Sequence, residues 1–276
     1  MKNLLLVAKV DIKESLRSKW FYVYSLVFGG LMALFFITGI SDSVVMGFSG
    51  LSRTLLIFIQ VTIIILPIFI LITTVKSISS DRESNVLEYM LSFPISLKSY
   101  YWGKMLGRFI TVFMPVIFAL ILGVVFGLIK GGNNLPWGMI SLYSLLIFAI
   151  CFVFLGISFF ISTIVKSSDI ALGVSFMVWI LLLAFIDIVL IGLMLQGNIN
   201  DGVIVAIAML NPIEVFRIGA ITLFDPELTV IGPVAYYLLD TLGSKFLILY
   251  SILYPIFLGA IFAILGYILF KRKDLL

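Results

Sequence analysis

Long apolar stretches separated by short polar segments dominate the chain. Six of them span about 20 residues or more, which is enough for a helix to cross the hydrocarbon core of a bilayer. Strands of a membrane barrel would alternate polar and apolar residues over about ten positions, and the sequence shows no such alternation. The pattern predicts an all-α polytopic membrane protein with six transmembrane helices: Trp20–Ile40, Thr54–Val75, Met105–Ile129, Trp137–Val165, Ile170–Leu195 and Phe246–Phe270.

Composition agrees with a membrane protein and argues against an enzyme. The chain is 62% hydrophobic and 12% charged, whereas soluble globular chains are about 45–50% apolar and about 25% charged. It contains no histidine and one cysteine, Cys151, so the commonest metal ligand and general base is missing and no disulfide can form. The sequence has no phosphate-binding loop, nucleophile elbow or metal-ligand spacing. We therefore expect no catalytic residue, no metal site and no cofactor bound by this chain.

Lysine and arginine are distributed unequally on the two sides of the predicted spans. Six spans place both termini on one side, and that side holds all but four of the 18 basic residues, the exceptions being Arg53, Lys130, Arg217 and Lys245. Because basic flanks stay in the cytoplasm, both termini are predicted to be cytoplasmic, in a prokaryotic plasma membrane. This bias accounts for the net charge of +4, so no nucleic-acid partner is expected.

The first 19 residues predict an amphipathic helix on the membrane surface. Leu4, Ala8, Ile12 and Leu16 recur every four positions beside a basic face, as in helices that lie in the interface plane. Two interpretations remain open. The segment is either a basic flank that only sets the topology or an elbow helix that also contacts a cytoplasmic partner.

The longest charge-rich stretch, residues 77–104, lies between the second and third predicted spans on the cytoplasmic side. Apolar residues three or four positions apart predict one amphipathic helix that starts at Asp81 and ends before Pro94. The helix is either a solvated connection or an element that docks into a groove of a cytoplasmic subunit. The residues that carry the pattern are Asp81, Arg82, Glu83, Val86, Leu87, Glu88, Met90 and Leu91.

One carboxylate, Asp187, lies well inside a predicted span. A charged group in the hydrocarbon costs roughly 2.5–3.5 kcal/mol on insertion scales. We consider three interpretations: Asp187 pairs with hydroxyls of neighbouring spans, lines a translocation path between two copies of the chain, or lies near the outer interface.

The outer segment, residues 196–245, is apolar for a free loop, chiefly in Val203–Leu210 and Val230–Leu239. It predicts short helices that rest on the outer membrane surface or against a protein. Aromatic and arginine side chains are enriched at interface anchors, so Asn211, Pro212, Phe216 and Arg217 are candidates for docking an extracytoplasmic accessory protein. The competing use of this surface is adsorption to lipid headgroups.

The cytoplasmic stretch carries a resemblance to a known family. Glu83, Leu87-Glu88, Leu91, Pro94 and Gly103-Lys104 resemble the Glu–(Gly-Thr)-Leu-Glu–Leu–Pro–Gly-Lys pattern of ABC-2 type permeases, although Asn85-Val86 stand in place of the usual Gly-Thr. The resemblance implies a type V exporter-like fold, a permease homodimer, and two cytoplasmic ABC ATPase subunits that take the coupling helix. ATP and magnesium would then be held by the ATPase, not by this chain.

The segment from Leu210 to Arg217 is similar to a motif of one subgroup, the permeases for maturation of the copper centres of nitrous oxide reductase. This resemblance implies a role in copper-site assembly with an external partner. The alternative is a generic ABC-2 exporter of a lipid, polysaccharide, antibiotic or other small molecule. An ATP-independent carrier would instead predict an inverted repeat and more polar groups within the spans.

Overall fold

The computed structural model describes residues 2–37, 50–131, 137–196, 201–224 and 242–273, and within these ranges the chain contains helices and no strand. The α-helices, in chain order, are α1 Lys2–Arg17, α2 Lys19–Ile37, α3 Gly50–Thr74, α4 Lys76–Glu83, α5 Val86–Leu91, α6 Leu97–Gly131, α7 Trp137–Ile164, α8 Ser168–Ile180, α9 Ile186–Gln196, α10 Asp201–Leu210, α11 Pro212–Phe224 and α12 Ser244–Lys273. A π-helical segment, Leu181–Phe185, joins α8 to α9.

The all-α polytopic fold class predicted from the sequence is confirmed. Five stretches of the described chain are long and apolar enough to cross a membrane: Ile59–Glu83, Leu97–Leu122, Trp137–Ile164, Ser168–Leu190 and Ser244–Arg272. They coincide with the second to sixth predicted spans. Helix α2 coincides with the first, whose last residues, 38–40, lie outside the described ranges.

The core of the molecule is built around α7. Of its most apolar 18-residue window, 72% is buried, compared with 6% of the corresponding window in α8 and α9. Helix α12 crosses α7 where two glycines meet, since a Cβ on Gly156 would lie 2.3 Å from the carbonyl oxygen of Gly259. Small residues at such a crossing let two backbones approach closely. Because so little of α8 and α9 is buried, the fifth span lies at the periphery of this chain.

The predicted single helix from Asp81 to Pro94 is wrong, because two helices occupy this stretch. Helix α4 continues the line of span two and ends at Glu83, and the shorter α5 begins at Val86. Asn85 between them has φ 57°, in the left-handed region. Asparagine tolerates this conformation better than other residues with a Cβ, and a left-handed residue just after a helix terminates it.

The outer segment also differs from the prediction of helices resting on a surface. Helices α10 and α11 bend by 101° at Asn211, so that they form either a broken span or a re-entrant pair. Helix α11 packs against α3, α7 and α12, and its residues from Ile213 to Phe216 are buried. Apart from Glu214, Arg217 and Thr222, α11 is apolar, and it buries most of its surface within its own chain. The apolar stretch Val230–Leu239 lies outside the described residues.

Candidate functional site

A cluster of charged side chains connects four helices where α4 leaves span two. One face of α6 carries Tyr100, Lys104 and Arg108, four residues apart along the helix. The Lys104 ammonium donates a hydrogen bond to the carbonyl oxygen of Ser77 at 2.8 Å and forms an ion pair with Asp81. The hydroxyl of Tyr100 donates to the same Asp81 carboxylate. We call Asp11, Asp81, Tyr100, Lys104 and Arg108 the ionic joint.

Arg108 extends the ionic joint to α1 and to the end of α3. Its Nε donates to Oδ1 of Asp11 at 3.2 Å, and its Nη1 donates to the carbonyl oxygen of Thr73 at 3.2 Å. Asp11 is only 1% exposed. Burial raises the pKa of the Asp11 carboxyl, while the positive charges of Arg108 and Lys104 oppose that rise. The carboxylate at this position therefore depends on its cationic neighbours.

The contact between α1 and α6 corrects the predicted face of the N-terminal helix. The buried residues of α1 are Val7, Ala8, Asp11 and Ser15, so only Ala8 of the predicted apolar face belongs to the buried set. A Cβ on Gly103 would lie 2.8 Å from the carbonyl oxygen of Leu4, and one on Gly107 would lie 2.9 Å from that of Ala8. The two glycines create the flat surface on which α1 packs. Asp11, which completes the ionic joint, is a residue that sequence reasoning missed.

Two further predicted coupling residues, Arg82 and Glu83, contact the turn between α7 and α8. Ser168 donates to the Glu83 carboxylate twice, from its backbone N–H at 3.0 Å and from its hydroxyl at 2.7 Å. Arg82 donates to the carbonyl oxygens of Thr163 and Val165 at 3.4 and 3.5 Å. Together with Asp81, these side chains hold α4 against the rest of the chain.

The outward-facing part of the stretch 77–104 is α5 and the residues just after it. Leu87 is buried and anchors α5, while Met90 and Leu91 are half-buried against the core. The exposed residues include Val86, Glu88, Tyr89 and Phe93, which we call the α5 tip. Tyr89 is 65% exposed, and its ring contacts that of Phe93 with centroids 5.3 Å apart. Sequence reasoning missed both aromatic residues, although large exposed aromatics at a helix end are a usable signal for a docking surface.

A second charged cluster joins two predicted sites that the sequence left apart. Both terminal nitrogens of Arg217 lie 3.2 Å from Oδ2 of Asp187. Nη1 of Arg217 also lies 2.6 Å from Oε1 of Glu214. Asp187 is therefore paired with a cation instead of with hydroxyls of neighbouring spans. We call Asp187, Glu214 and Arg217 the outer triad, in which one guanidinium faces two carboxylates.

The other predicted docking residues hold the bend between α10 and α11. The side-chain amide of Asn211 donates to the carbonyl oxygen of Leu182 at 2.7 Å, and its Oδ1 accepts from the N–H of Ile213 at 3.0 Å. Asn211 thus caps α11, and Pro212 occupies the first helical position, where a missing N–H costs nothing. Phe216 is completely buried next to Tyr143. The prediction of an exposed surface at Asn211, Pro212 and Phe216 is thus corrected, and Val203 and Leu210 are the large exposed apolar residues of α10.

Within the described residues, no group of three or more His, Cys, Asp or Glu side chains is arranged to hold a metal ion. A bundle of long apolar helices, most of them able to span a bilayer, is the architecture of a multi-pass membrane protein. The model of the ABC-2 family transporter proteins matches residues 5–275. The chain therefore belongs to the ABC-2 family of transporter permeases, as the motif between Glu83 and Lys104 predicts.

Two proteins are similar to this chain over most of their length, and both carry the name "Probable ABC transporter permease protein NosY". The protein of Stutzerimonas stutzeri is 22% identical over 277 residues, which cover 97% of each chain. The protein of Pseudomonas aeruginosa is 22% identical over 231 residues, covering 79% of this chain and 82% of the relative. The family makes this chain an ABC transporter permease subunit, and an ABC permease works with an ATPase partner.

Proposed function

We propose that this chain is the membrane subunit of an ATP-driven complex in a prokaryotic plasma membrane, with both termini in the cytoplasm. Two copies form a homodimer, and each receives a cytoplasmic ABC ATPase at the α5 tip. ATP and magnesium are held by the ATPase, and this chain performs no catalysis. The observation that carries the proposal is the ionic joint, because it connects the element beside the α5 tip to three other helices.

The contacts of the ionic joint support transmission of motion from the α5 tip to the spans. A push on α5 reaches α4 across the short turn at Asn85. From α4 it passes through Asp81 to Lys104 and Tyr100 of α6. Arg108 of α6 then connects to the last turn of α3 and to α1. Separating a buried ion pair leaves an uncompensated charge, which is strongly unfavourable. Movement of α1, α3, α4 and α6 as one unit is therefore energetically favoured over sliding of one of these helices past another.

The low burial of the fifth span supports the homodimer. Phe176, Met177, Phe185 and Ile188 are large apolar side chains that this chain leaves exposed. In a bilayer they contact either lipid or a second copy of the chain. The hydrogen bond from the Asn211 side-chain amide to the carbonyl oxygen of Leu182 attaches the π-helical part of this span to α11 of its own chain.

Within this class we further propose a role in copper-site assembly of nitrous oxide reductase, with an extracytoplasmic partner at the outer segment. The support is the motif from Leu210 to Arg217 and the end-to-end similarity to a permease named NosY. Asp187 remains a candidate for the translocation path, now as a member of the outer triad. The competing function is export of a lipid, polysaccharide, antibiotic or other small molecule by the same machinery.

The α5 tip provides the test of ATPase coupling. Replacing Tyr89 and Phe93 together with alanine removes two exposed aromatic anchors without entering the core, so copurification of the ATPase should fall about tenfold or more, as expected for hot-spot residues. The matched control is Tyr22→Ala, an equally exposed tyrosine at the start of α2. Undiminished ATPase copurification with the double variant would refute docking at the α5 tip.

The copper role has a separate readout. In cells that make both this chain and nitrous oxide reductase, deleting the chain should leave the reductase short of copper while its polypeptide is still made. Full copper occupancy in the deletion strain would favour the generic exporter.

A further inference from the structure

A cavity of about 300 Å³ lies beside the ionic joint, between α1, the start of α2, the end of α3, α4, α6 and α8. Its lining divides into two kinds of surface. Serine, threonine and charged side chains form one part, and apolar side chains form the other, among them Phe69, Ile72, Val112 and Leu172. A cavity of this kind complements a molecule that is polar at one end and apolar at the other.

Two buried hydroxyl groups in the lining have no partner. Ser15 and Ser77 are both nearly completely buried, and neither hydroxyl oxygen has a hydrogen-bond partner in the described part of the chain. A buried hydroxyl without a partner is unfavourable, because it loses its hydrogen bonds to water on folding. Both serines line the cavity, so a change of side-chain rotamer would let either hydroxyl donate to an acceptor there. The guanidinium of Arg108 lines the same space.

Charges of both signs line the cavity, which decides what kind of polar group fits it. Lys76 and Arg108 are the cations, which already pair with Asp169 and Asp11, and Glu14 and Asp81 are the anions. Asp81 already pairs with Lys104, whereas Glu14 forms no ion pair within the described residues. The cations and hydroxyls are suited to a phosphate, and Glu14 is suited to an ammonium group. A zwitterion that carries both groups matches the lining better than a simple anion does.

The position of the cavity indicates where such a molecule comes from. It lies at the end of the spans where α1 meets α2, and Trp20 at its edge is 55% exposed. Tryptophan is enriched where the bilayer meets water, so the cavity lies at headgroup depth. We propose that it binds the headgroup of a bilayer phospholipid bearing a phosphate and a primary amine, the phosphatidylethanolamine class. The apolar lining then receives the first methylene groups of the acyl chains.

The experiment measures which lipids stay bound to the full-length chain, purified in mild detergent with its ATPase and analysed by native mass spectrometry. The probes are phosphatidylethanolamine, phosphatidylglycerol and phosphatidylcholine with identical acyl chains, together with soluble O-phosphoethanolamine as competitor. Phosphatidylethanolamine should be retained about fivefold more than the other two lipids, the scale of one or two additional hydrogen bonds. O-phosphoethanolamine should compete weakly, because it lacks the acyl chains.

Variants connect this preference to the cavity. Ser15→Ala with Ser77→Ala should lower retention of phosphatidylethanolamine about fivefold, since two donors are lost. The control is Ser175→Ala, which removes another buried, unpartnered hydroxyl from α8 outside the cavity lining. Glu14 is exposed, so Glu14→Gln leaves folding intact. This change should abolish the preference for phosphatidylethanolamine over phosphatidylglycerol.

Three results would overturn the proposal. One is equal retention of the three lipids by the unaltered chain. Another is a preference that survives Glu14→Gln. The third is displacement of bound phosphatidylethanolamine by O-phosphoethanolamine as effectively as by free phosphatidylethanolamine. That result would assign the cavity to a soluble phosphate compound and not to a membrane lipid.

Discussion

At the scale of single residues, the two charged clusters differ in how their charges balance. In the ionic joint, each carboxylate has its own cationic partner, Arg108 for Asp11 and Lys104 for Asp81. In the outer triad, Arg217 is shared by Asp187 and Glu214. Removal of one residue therefore has a different consequence in each cluster, and this difference can be measured.

Asp11→Ala should destabilise the chain substantially. It leaves the guanidinium of Arg108 in a mostly buried position without its counter-ion, which costs about 3 kcal/mol for a broken buried pair. The measurement is the thermal unfolding midpoint in detergent. The control, Asp169→Ala, removes a carboxylate whose ion pair with Lys76 is exposed, and it should change the midpoint little. Equal midpoints for the two variants would contradict the structural role of Asp11.

In the outer triad, Arg217→Gln should be more damaging than Asp187→Asn. Without the arginine, two neighbouring carboxylates have no cation, whereas without the Asp187 charge Arg217 keeps Glu214 as a one-to-one partner. Expression level and unfolding midpoint give the order directly. If Asp187→Asn keeps wild-type stability but abolishes function, Asp187 acts in the translocation path. Equal loss of stability in both variants would contradict charge sharing.

At the scale of helices, the local sequence determines where the spans lie but not which face of each helix is buried. The spans are predictable because length and apolar composition alone decide whether a helix can cross a bilayer. The surface on which a helix packs depends on its neighbour, so the burial of Asp11 becomes evident only with Gly103 and Gly107 beneath it. Likewise, the apolar composition of α11 indicates burial without indicating against which helices. Asn85 is an intermediate case, since its residue type permits the left-handed turn that breaks the helix.

Two Gly→Ala changes should have opposite effects on stability, one in the contact between α1 and α6 and one at an open position of α8. Gly107→Ala places a methyl group 2.9 Å from the backbone oxygen of Ala8, and overpacking of this kind costs about 1–3 kcal/mol. Gly173→Ala in α8 meets no atom within 4 Å and should stabilise its helix by roughly 0.5–1 kcal/mol. Unfolding midpoints should therefore move in opposite directions. A midpoint for Gly107→Ala at or above that of the unaltered chain would contradict the close packing of α1.

At the scale of the whole molecule, burial is concentrated around α7 and nearly absent from the fifth span. The buried share of the apolar window is 72% in α7 and 6% in the fifth span. The fifth span therefore leaves an apolar surface that a neighbour in the membrane can cover. Nothing in the hydropathy of the two spans separates them, because both are strongly apolar. The distinction between a central and a peripheral span therefore required the three-dimensional packing.

Cross-linking tests whether a second copy covers the fifth span. Cysteines introduced singly at Phe176, Met177 and Ile180 sample different directions around one turn of α8, and at least one should give an oxidised dimer in membranes. The native Cys151 is buried, so it contributes little background. The controls are Leu253→Cys and Phe257→Cys, which are similarly exposed on α12. Dimers at the control positions alone would place the interface elsewhere.

Helices α3 and α4 follow each other almost without a bend, so that together they form one long arm. The stretch Ile59–Glu83 has 25 residues, so at about 1.5 Å per residue it is about 37 Å long. A tilt of about 5° about the Glu83 end would move the Ile59 end by about 3 Å. Pro67 lies within the arm, and because helices bend most readily at proline, a bend there would reduce the displacement that reaches the far end. Since α3 also contacts α11, a tilt of this arm would also displace the helix that carries Glu214 and Arg217.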